Sequence, residues 1–315
     1  MKRVLVTGGA GFIGAHLVRA LIAQNVAVRV LDNLSSGNVA NLSGLGKKLD
    51  FVEGDIRNAV ACRNACRDID VVFHLAALVS VPQSVADPIQ SDAINSGGTL
   101  NLLIAARDQR VKRFVFSSSA AVYGDTDVIP TDESVLPNPL SPYGVQKLTG
   151  ESYTRLFANL YNIETICLRY FNVYGPGQSP HSAYAAAVPR FLTALLSGRT
   201  LSVYGDGEQT RDFCAVGDVV AANLLAATTS RQEVIGRVVN IACGERISLN
   251  TLLAHLQEIV GSELPVCYEA ARVGDIVHSG ADIRLAQTML GYRPQVDLPT
   301  GLRETYAFYG KGVGA

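Results

Sequence analysis

The 315-residue sequence predicts an α/β protein: a doubly wound parallel sheet joined to a smaller C-terminal α/β lobe. Three observations predict it. Near the amino terminus a short apolar run, Val4-Leu5-Val6, breaks into a glycine cluster and then into Phe12, Ile13, Leu17, Val18 and Leu21 at helical spacing. Short apolar runs then keep alternating with helix-length amphipathic segments, the pattern of parallel strands joined by crossover helices. An acid, Asp32, closes the second apolar run, 18 residues beyond Gly14.

The first unit suits a diphosphate. Glycine lets the backbone turn tightly and approach phosphate, and a helix N-terminus offers N–H groups and a positive dipole end. The glycines fit two overlapping patterns: Gly8, Gly11 and Gly14 at spacing three, and Gly9 to Gly14 as G-x-G-x-x-G. Their place between a strand and a helix separates them from a plain glycine-rich turn and predicts a Rossmann-type dinucleotide fold. Val26 to Leu31 reads as the second strand, and Asp32 at its end sits near the ~20-residue spacing of a ribose-binding acid. A carboxylate there repels a 2′-phosphate and favours NAD over NADP. The run from Asp32 to Gly37 is also sound turn chemistry, and the two readings are compatible. Asn33, Ser35 and Gly37 then wrap the adenine side.

Composition narrows the class. A hydrophobic content of 48% with 17% charged residues is ordinary for a globular chain, of a length for two domains or one large one. A net charge of −1 supplies no basic surface for nucleic acid or an anionic membrane. No run approaches the ~18 apolar residues of a membrane span. The apolar run after Lys2 and Arg3 reaches glycine too soon for a signal peptide. Cysteines 62, 66, 167, 214, 243 and 267 are scattered, and no second Cys/His pair completes a zinc site beside Cys62 and Cys66. They read as thiols in a reducing cytoplasm, with no metal expected.

Farther along, Leu49 to Glu53 forms a third strand, running into Gly54-Asp55-Ile56. Asp70 to Ala77 forms a fourth with a small end, Leu75-Ala76-Ala77, that allows close approach of a ligand. Its His74 is more readily structural than a base. A helix from about Asn95 to Arg107 leads to a strand from Lys112 to Phe116, and ligands of such sheets lie at the carboxyl ends of strands. There stand Ser117, Ser118 and Ser119, either a serine-rich turn or reactive hydroxyls.

Support for the second reading comes 24 residues after Ser119, in Tyr143-Gly144-Val145-Gln146-Lys147. Pro142 precedes it and helical spacing follows through Leu148, Tyr153, Leu156 and Leu160. Positions i and i+4 share a helix face, so Lys147 places its charge near the phenol. That charge is expected to lower the Tyr143 pKa from ~10 toward neutrality and make it a proton acceptor. In the last third, Arg169 to Asn172 ends a sixth strand, and Pro and Gly at 175–180 break the pattern. Ser182 to Leu196 reads as helix, Leu201 to Gly207 as strand and turn, Gly217 to Ala227 as helix and Val238 to Ala242 as strand. Arg211 and Arg272 suit a diphosphate through two-point, charge-assisted contacts, although surface arginines would look the same.

Taken together, these motifs resemble the extended short-chain dehydrogenase/reductase family, and the UDP-hexose 4-epimerases most of all. The matching residues are T-G-G-A-G-F-I-G at 7–14, Asp32, Gly54-Asp55, H-L-A-A at 74–77, the serines at 117–119, Y-G-V-Q-K at 143–147 and R-Y-F-N-V-Y-G-P at 169–176, spread essentially end to end. The resemblance implies NAD-dependent 4-epimerisation with Ser119, Tyr143 and Lys147 as catalytic residues. It implies cofactor contacts from Gly8, Gly11, Phe12, Ile13 and Gly14, from Asp32, Asn33, Ser35 and Gly37, from Asp55 and Ile56, and from Leu75, Ala76 and Ala77. Asn95, Ser117 and Tyr170 join them, with Tyr143 and Lys147. For the substrate, it implies that Asn172, Arg211 and Arg272 hold the UDP diphosphate and ribose and that Tyr204 packs on uracil. Ser80, Val188, Asp275 and Ser279 would line the sugar site with Ser119 and Tyr143.

It further implies a cofactor domain of residues 1–175 with 213–243, a UDP-sugar domain of 176–212 with 244–315, and a homodimer through helices near 95–108 and 143–160. Two departures matter. Ala215 stands where many relatives carry His or Tyr. Ala120-Ala121 lack the acid that related dehydratases and decarboxylases place after the catalytic hydroxyl, which weakens those rival reactions. A dinucleotide-binding sensor without turnover is the other rival, and the presence of both Tyr143 and Lys147 speaks against it. Ser279, four residues past the Asp of R-x-G-D, leaves room for an N-acetyl group, so UDP-GlcNAc/UDP-GalNAc interconversion is expected, with UDP-Glc/UDP-Gal beside it. The alternative is a UDP-glucose 4-epimerase restricted to non-acetylated sugars.

Overall fold

Apolar runs covered on both faces become strands of one parallel sheet. The computed structural model describes residues 1–179, 187–271 and 276–313. In order these form β1 (Arg3–Thr7), α1 (Phe12–Ala23), β2 (Ala27–Asp32), β3 (Leu49–Glu53), α2 (Ala59–Ala65), β4 (Val71–His74), α3 (Val81–Ala86) and α4 (Pro88–Asp92). A π-helical turn, Ala93–Gly97, leads into α5 (Gly98–Asp108), β5 (Arg113–Ser119), α6 (Pro142–Tyr161), β6 (Glu164–Tyr170) and β7 (Asn172–Tyr174). Then come α7 (Ala187–Leu196), β8 (Leu201–Tyr204), β9 (Thr210–Arg211), β10 (Phe213–Ala215), α8 (Val216–Thr228) and β11 (Arg237–Ile241). The chain ends through β12 (Ile247–Ser248), α9 (Leu249–Val260), β13 (Val266–Glu269), α10 (Arg284–Leu290) and α11 (Leu298–Val313).

The seven-stranded sheet has the order β11-β6-β5-β4-β1-β2-β3, every pair parallel. The chain winds outward from β1 to β3, then crosses to β4 and winds the other way. The reversal opens a crevice at the carboxyl ends of β1 and β4, where ligands of this fold bind. Val4, Leu5 and Val6 are all fully buried. One face is covered by α1 and α8, with Leu17, Val18 and Val219 in its core, and the other by α2 and α5, with Cys62, Leu102 and Leu103.

Two boundaries differ from expectation. β5 runs on through Ser119, because its three serines stay in the ladder opposite Leu168, Arg169 and Tyr170, with no Gly or Pro to end it. The helix expected from Asn95 begins at Gly98, after the π-turn that carries Asn95, a distortion frequent at functional sites. α6 starts where the sequence signals it: Ser141 Oγ accepts from Gly144 N at 3.1 Å, and Pro142 takes a first-turn position that needs no N–H. It stops at Asn162, in the left-handed region at φ 56°.

A second core lies outside the sheet. There β8 pairs with β13 and β9 with β12, and Leu192, Leu201, Val203, Leu252, Leu256 and Leu302 are fully buried beneath α7, α9 and α11. The expected segment 244–315 does not all belong to this lobe. Ala286 and Leu290 of α10, with Tyr292 after it, bury in the sheet core. Of the helix expected from Ser182, the part before Ala187 lies outside the described residues. Among the described residues no helix is long and apolar enough to cross a membrane, and no His/Cys/Asp/Glu group could hold a metal.

Candidate active site

At the crevice the glycine loop packs against the strand that follows it. Gly8 has φ 68°, and a Cβ there would lie 2.7 Å from Ala76 N. A Cβ on Gly14 would collide with the Gly8 carbonyl. Only bare backbone lets loop, helix and the Leu75–Ala77 segment come this close. No side chain caps α1 at Gly11, so its N-terminus is open to an anion. Asp32, 7% exposed, accepts from Ala10 N at 2.9 Å and Leu34 N at 2.9 Å, which fixes its carboxylate beside the loop. The floor of backbone and the fixed acid fit a dinucleotide with a free 2′-hydroxyl.

On the side expected to face adenine, Asn33 Nδ2 donates to Asp55 Oδ2 at 2.9 Å, and Ser35 N donates to Asn33 Oδ1 at 3.1 Å. The Arg57 guanidinium holds the Asp55 carboxyl down to about 2. Gly37 packs on Ala10, and buried Ile56 fills the space above Gly98. Phe12, Ile13, Leu75, Ala76 and Ala77 are half-buried along the crevice. His74 lies beneath it, bonded through Nδ1 to Thr7 Oγ1 (2.8 Å) and through Nε2 to Thr99 Oγ1 (2.9 Å). Burial pushes its pKa down to about 3, so it is a neutral strut.

The groups expected to be reactive meet at the end of β5. Tyr143 and Lys147 lie on the first turns of α6, both buried. The Lys147 ammonium donates to the Ser117 carbonyl at 2.7 Å and stands 5.8 Å from the Tyr143 ring centroid. Burial raises the Tyr143 pKa in the protein by itself, with the Ser119 hydroxyl pulling the other way. The expected lowering by Lys147 is therefore not what governs the phenol here: loss of solvation outweighs it, and the ammonium is turned to a carbonyl. Ser117 Oγ is engaged by the Tyr170 hydroxyl at 3.0 Å, itself held by Asn223, so Ser119 is the hydroxyl left beside the phenol.

Of the residues expected to meet the substrate, the structure brings Asn172, Arg211 and Ser279 together. Asn172 Nδ2 donates to the Asp212 carbonyl at 3.3 Å, Arg211 Nη1 to the carbonyls of Thr210 (2.9 Å) and Val277 (3.1 Å), and Ser279 N to the Thr210 carbonyl at 3.0 Å. Asp212 pins the junction, its buried carboxylate accepting from the N–H groups of Cys243, Gly244 and Ala281. Tyr204 ends β8 with the Arg190 guanidinium 5.4 Å from its ring centroid. Ser80 caps α3, accepting from Gln83 N. Val188 is 1% exposed and packs inside the small lobe, and Ala215 is buried at the end of β10. Arg272 and Asp275 lie outside the described residues.

Comparison with known proteins bears on this geometry. A model described as the NAD dependent epimerase/dehydratase family matches residues 4–242. The chain belongs to that family. It is 40% identical over 302 residues to a putative UDP-glucose 4-epimerase of Methanocaldococcus jannaschii, covering 95% of this chain and 96% of that protein. It is 39% identical over 311 residues to the UDP-glucose 4-epimerase of Mycolicibacterium smegmatis, covering 98% of each. Among solved structures, a UDP-N-acetylglucosamine 4-epimerase from Methanobrevibacter ruminantium superposes with a TM-score of 0.94 at 40% identity, with 99% of both chains covered.

Two buried polar groups of this epimerase/dehydratase chain were not legible beforehand. Gln146 Oε1 accepts from Ser91 Oγ (2.7 Å) and Asn95 Nδ2 (2.8 Å), while Asn95 Oδ1 accepts from Leu78 N. This clamp ties the segment after β4 to α6. Glu151, 2% exposed, forms a two-point ion pair with Arg169, 3% exposed. Its spacing of four from Lys147 was the one signal available.

Proposed function

We propose that this protein is an NAD-dependent UDP-hexose 4-epimerase that interconverts UDP-GlcNAc with UDP-GalNAc and also accepts UDP-Glc and UDP-Gal. The observation that carries the reaction is the gathering of Tyr143, Ser119 and Lys147 at the carboxyl end of β5, two strands from the glycine loop. Bound NAD supplies the hydride acceptor and donor for C4. Tyr143 as phenolate takes the proton of the C4 hydroxyl, and Ser119 shares that proton through a hydrogen bond. The Lys147 ammonium would hold a ribose hydroxyl of the bound nucleotide, and 5.8 Å from the Tyr143 ring centroid it is a positive charge close to the phenolate once that forms. The 4-keto sugar then presents its other face, and Tyr143 returns the proton to O4.

Substrate choice rests on Ser279, half-buried beside Thr210 and Arg211. A small side chain there leaves space beside C2 for an N-acetyl group. A panel of UDP-sugars resolved by chromatography tests this, with Ser279→Tyr as the variant. The expected result is loss of the N-acetylated reaction with the plain hexose reaction retained; a wild type inactive on UDP-GlcNAc overturns the assignment.

The same reading takes residues 1–175 with 213–243 as the cofactor half and 176–212 with 244–315, α10 excepted, as the sugar half. It places the protein in the cytoplasm, where its six free thiols stay reduced. It also takes the protein as a homodimer, because α6 exposes Val145 (50%), Leu156 (45%) and Leu160 (61%) on one side. Sedimentation checks this: Leu156→Glu with Leu160→Glu is expected to yield a monomer.

A further inference from the structure

Lys147 is fully enclosed, and burial drives its pKa down to about 8, with Glu151 opposing that fall. Tyr143, Lys147 and Glu151 recur every four residues along α6, all buried, so they line one face of the helix. Across from that face, Ser118 of β5 and Arg169 of β6 are cross-strand partners, and both reach Glu151. Ser118 Oγ donates to Glu151 Oε1 at 2.5 Å, Arg169 Nε to the same oxygen at 2.8 Å and Arg169 Nη2 to Oε2 at 2.7 Å. Three donors occupy the two carboxylate oxygens and fix where the group stands. Arg169 is fixed in turn, its guanidinium 4.5 Å from the Tyr123 ring centroid, while Tyr123 donates to Asn240 Oδ1 at 2.7 Å.

Stability alone does not explain this pair. A buried ion pair pays heavily in desolvation, and apolar residues of equal volume usually serve a core as well. Of the other groups around the ammonium, Tyr143 is the one that becomes charged during turnover, and in the protein by itself burial raises its pKa and keeps it a neutral phenol. His74 on β4 is neutral, Phe116 and the Ser117 carbonyl on β5 carry no charge, and Cys167 on β6 is a thiol raised by burial. Helices α3 and α4 and the π-turn meet α6 through uncharged Ser84, Ser91 and Asn95.

We propose that Glu151, clamped by Ser118 and Arg169 one helical turn beyond Lys147, is a positioning residue that keeps the proton on Lys147 and sets the alkaline limit of turnover. The proposal rests on reading Lys147 as catalytic, and it is tested by a measurement that does not need turnover. The sequence holds six lysines, so 15N-lysine labelling gives few side-chain signals, and the signal lost in Lys147→Met assigns the buried one. In Glu151→Gln the Lys147 midpoint is expected to fall by about one pH unit, the least that an adjacent opposite charge contributes. The alkaline limb of kcat/KM moves down with it, and NAD content is unchanged. Should the single variant fail to fold, Glu151→Gln with Arg169→Met removes both charges, and a smaller fall in the same direction is expected, because the unpaired guanidinium is gone as well. An unmoved Lys147 midpoint, with only a lower melting temperature, overturns the proposal. A wild type that epimerises nothing overturns the functional reading instead, and the titration still decides the part of Glu151.

Discussion

Tyr143→Phe removes one oxygen from a buried ring and little volume. Turnover is expected to fall by at least the 10²–10⁴-fold of a lost acid/base group, about the upper end of that range, while NAD stays bound. Ser119→Ala is expected near the lower end, since Tyr143 still exchanges the proton; single-turnover rates compare the two. His74 makes a separate prediction about stability. Its folded pKa near 3 lies below the unfolded 6.5, so between those values the unfolded chain binds the extra proton. His74 therefore costs nothing above pH 6.5 and destabilises the fold progressively as pH falls from 6.5 toward 3. Asp212, raised to about 6 by burial, acts in the opposite direction over part of that window. The check is the difference between wild type and His74→Gln: the gap in melting temperature should be independent of pH above 6.5, and the variant should gain relative to wild type as pH falls below it. Residues of the candidate site could be singled out in the sequence where chemistry has a spacing, as in Tyr143 and Lys147, which the structure places together on one buried helix face. Glu151, Gln146 and Asp212 were not, because a buried polar group shows its purpose only through partners distant in sequence.

At the scale of elements, α6 carries Tyr143 and Lys147, and its start decides where they point. Ser141→Ala deletes the bond to Gly144 N and is expected to cost about 1 kcal/mol in urea unfolding, with a larger proportional loss in kcat than in NAD binding. Gly14→Ala is the harsher change, since its methyl would collide with the Gly8 carbonyl, and released nucleotide on purification is the expected sign. The strands and crossover helices were readable because apolar runs, glycine turns and 3.6-residue spacing are local signals. The end of β5 was not. Serine after a strand reads as a turn, yet pairing with Leu168, Arg169 and Tyr170 keeps Ser117 to Ser119 extended, and that pairing is invisible in one strand alone. The π-turn at Asn95 escaped for a similar reason: its side chain bonds Leu78 and Gln146, outside its own helix.

For the molecule as a whole, Asp32 and the glycine loop predict which nucleotide travels with the protein. Chromatography of what denaturation releases should find NAD, and NADP alone would contradict the carboxylate's fixed place at the end of β2. The doubly wound order was foreseeable from the alternation of elements, but the path of the last third was not, because it passes between two cores. That path has a practical consequence for anyone recombining such enzymes. With Ala286, Leu290 and Tyr292 seated against the sheet beside α8, the chain beyond residue 243 returns to the sheet core rather than ending in the smaller lobe. A chimera spliced after residue 243 would import a foreign α10 into a native core, so grafts that exchange 244–281 and keep the host's own α10 should be the ones that express.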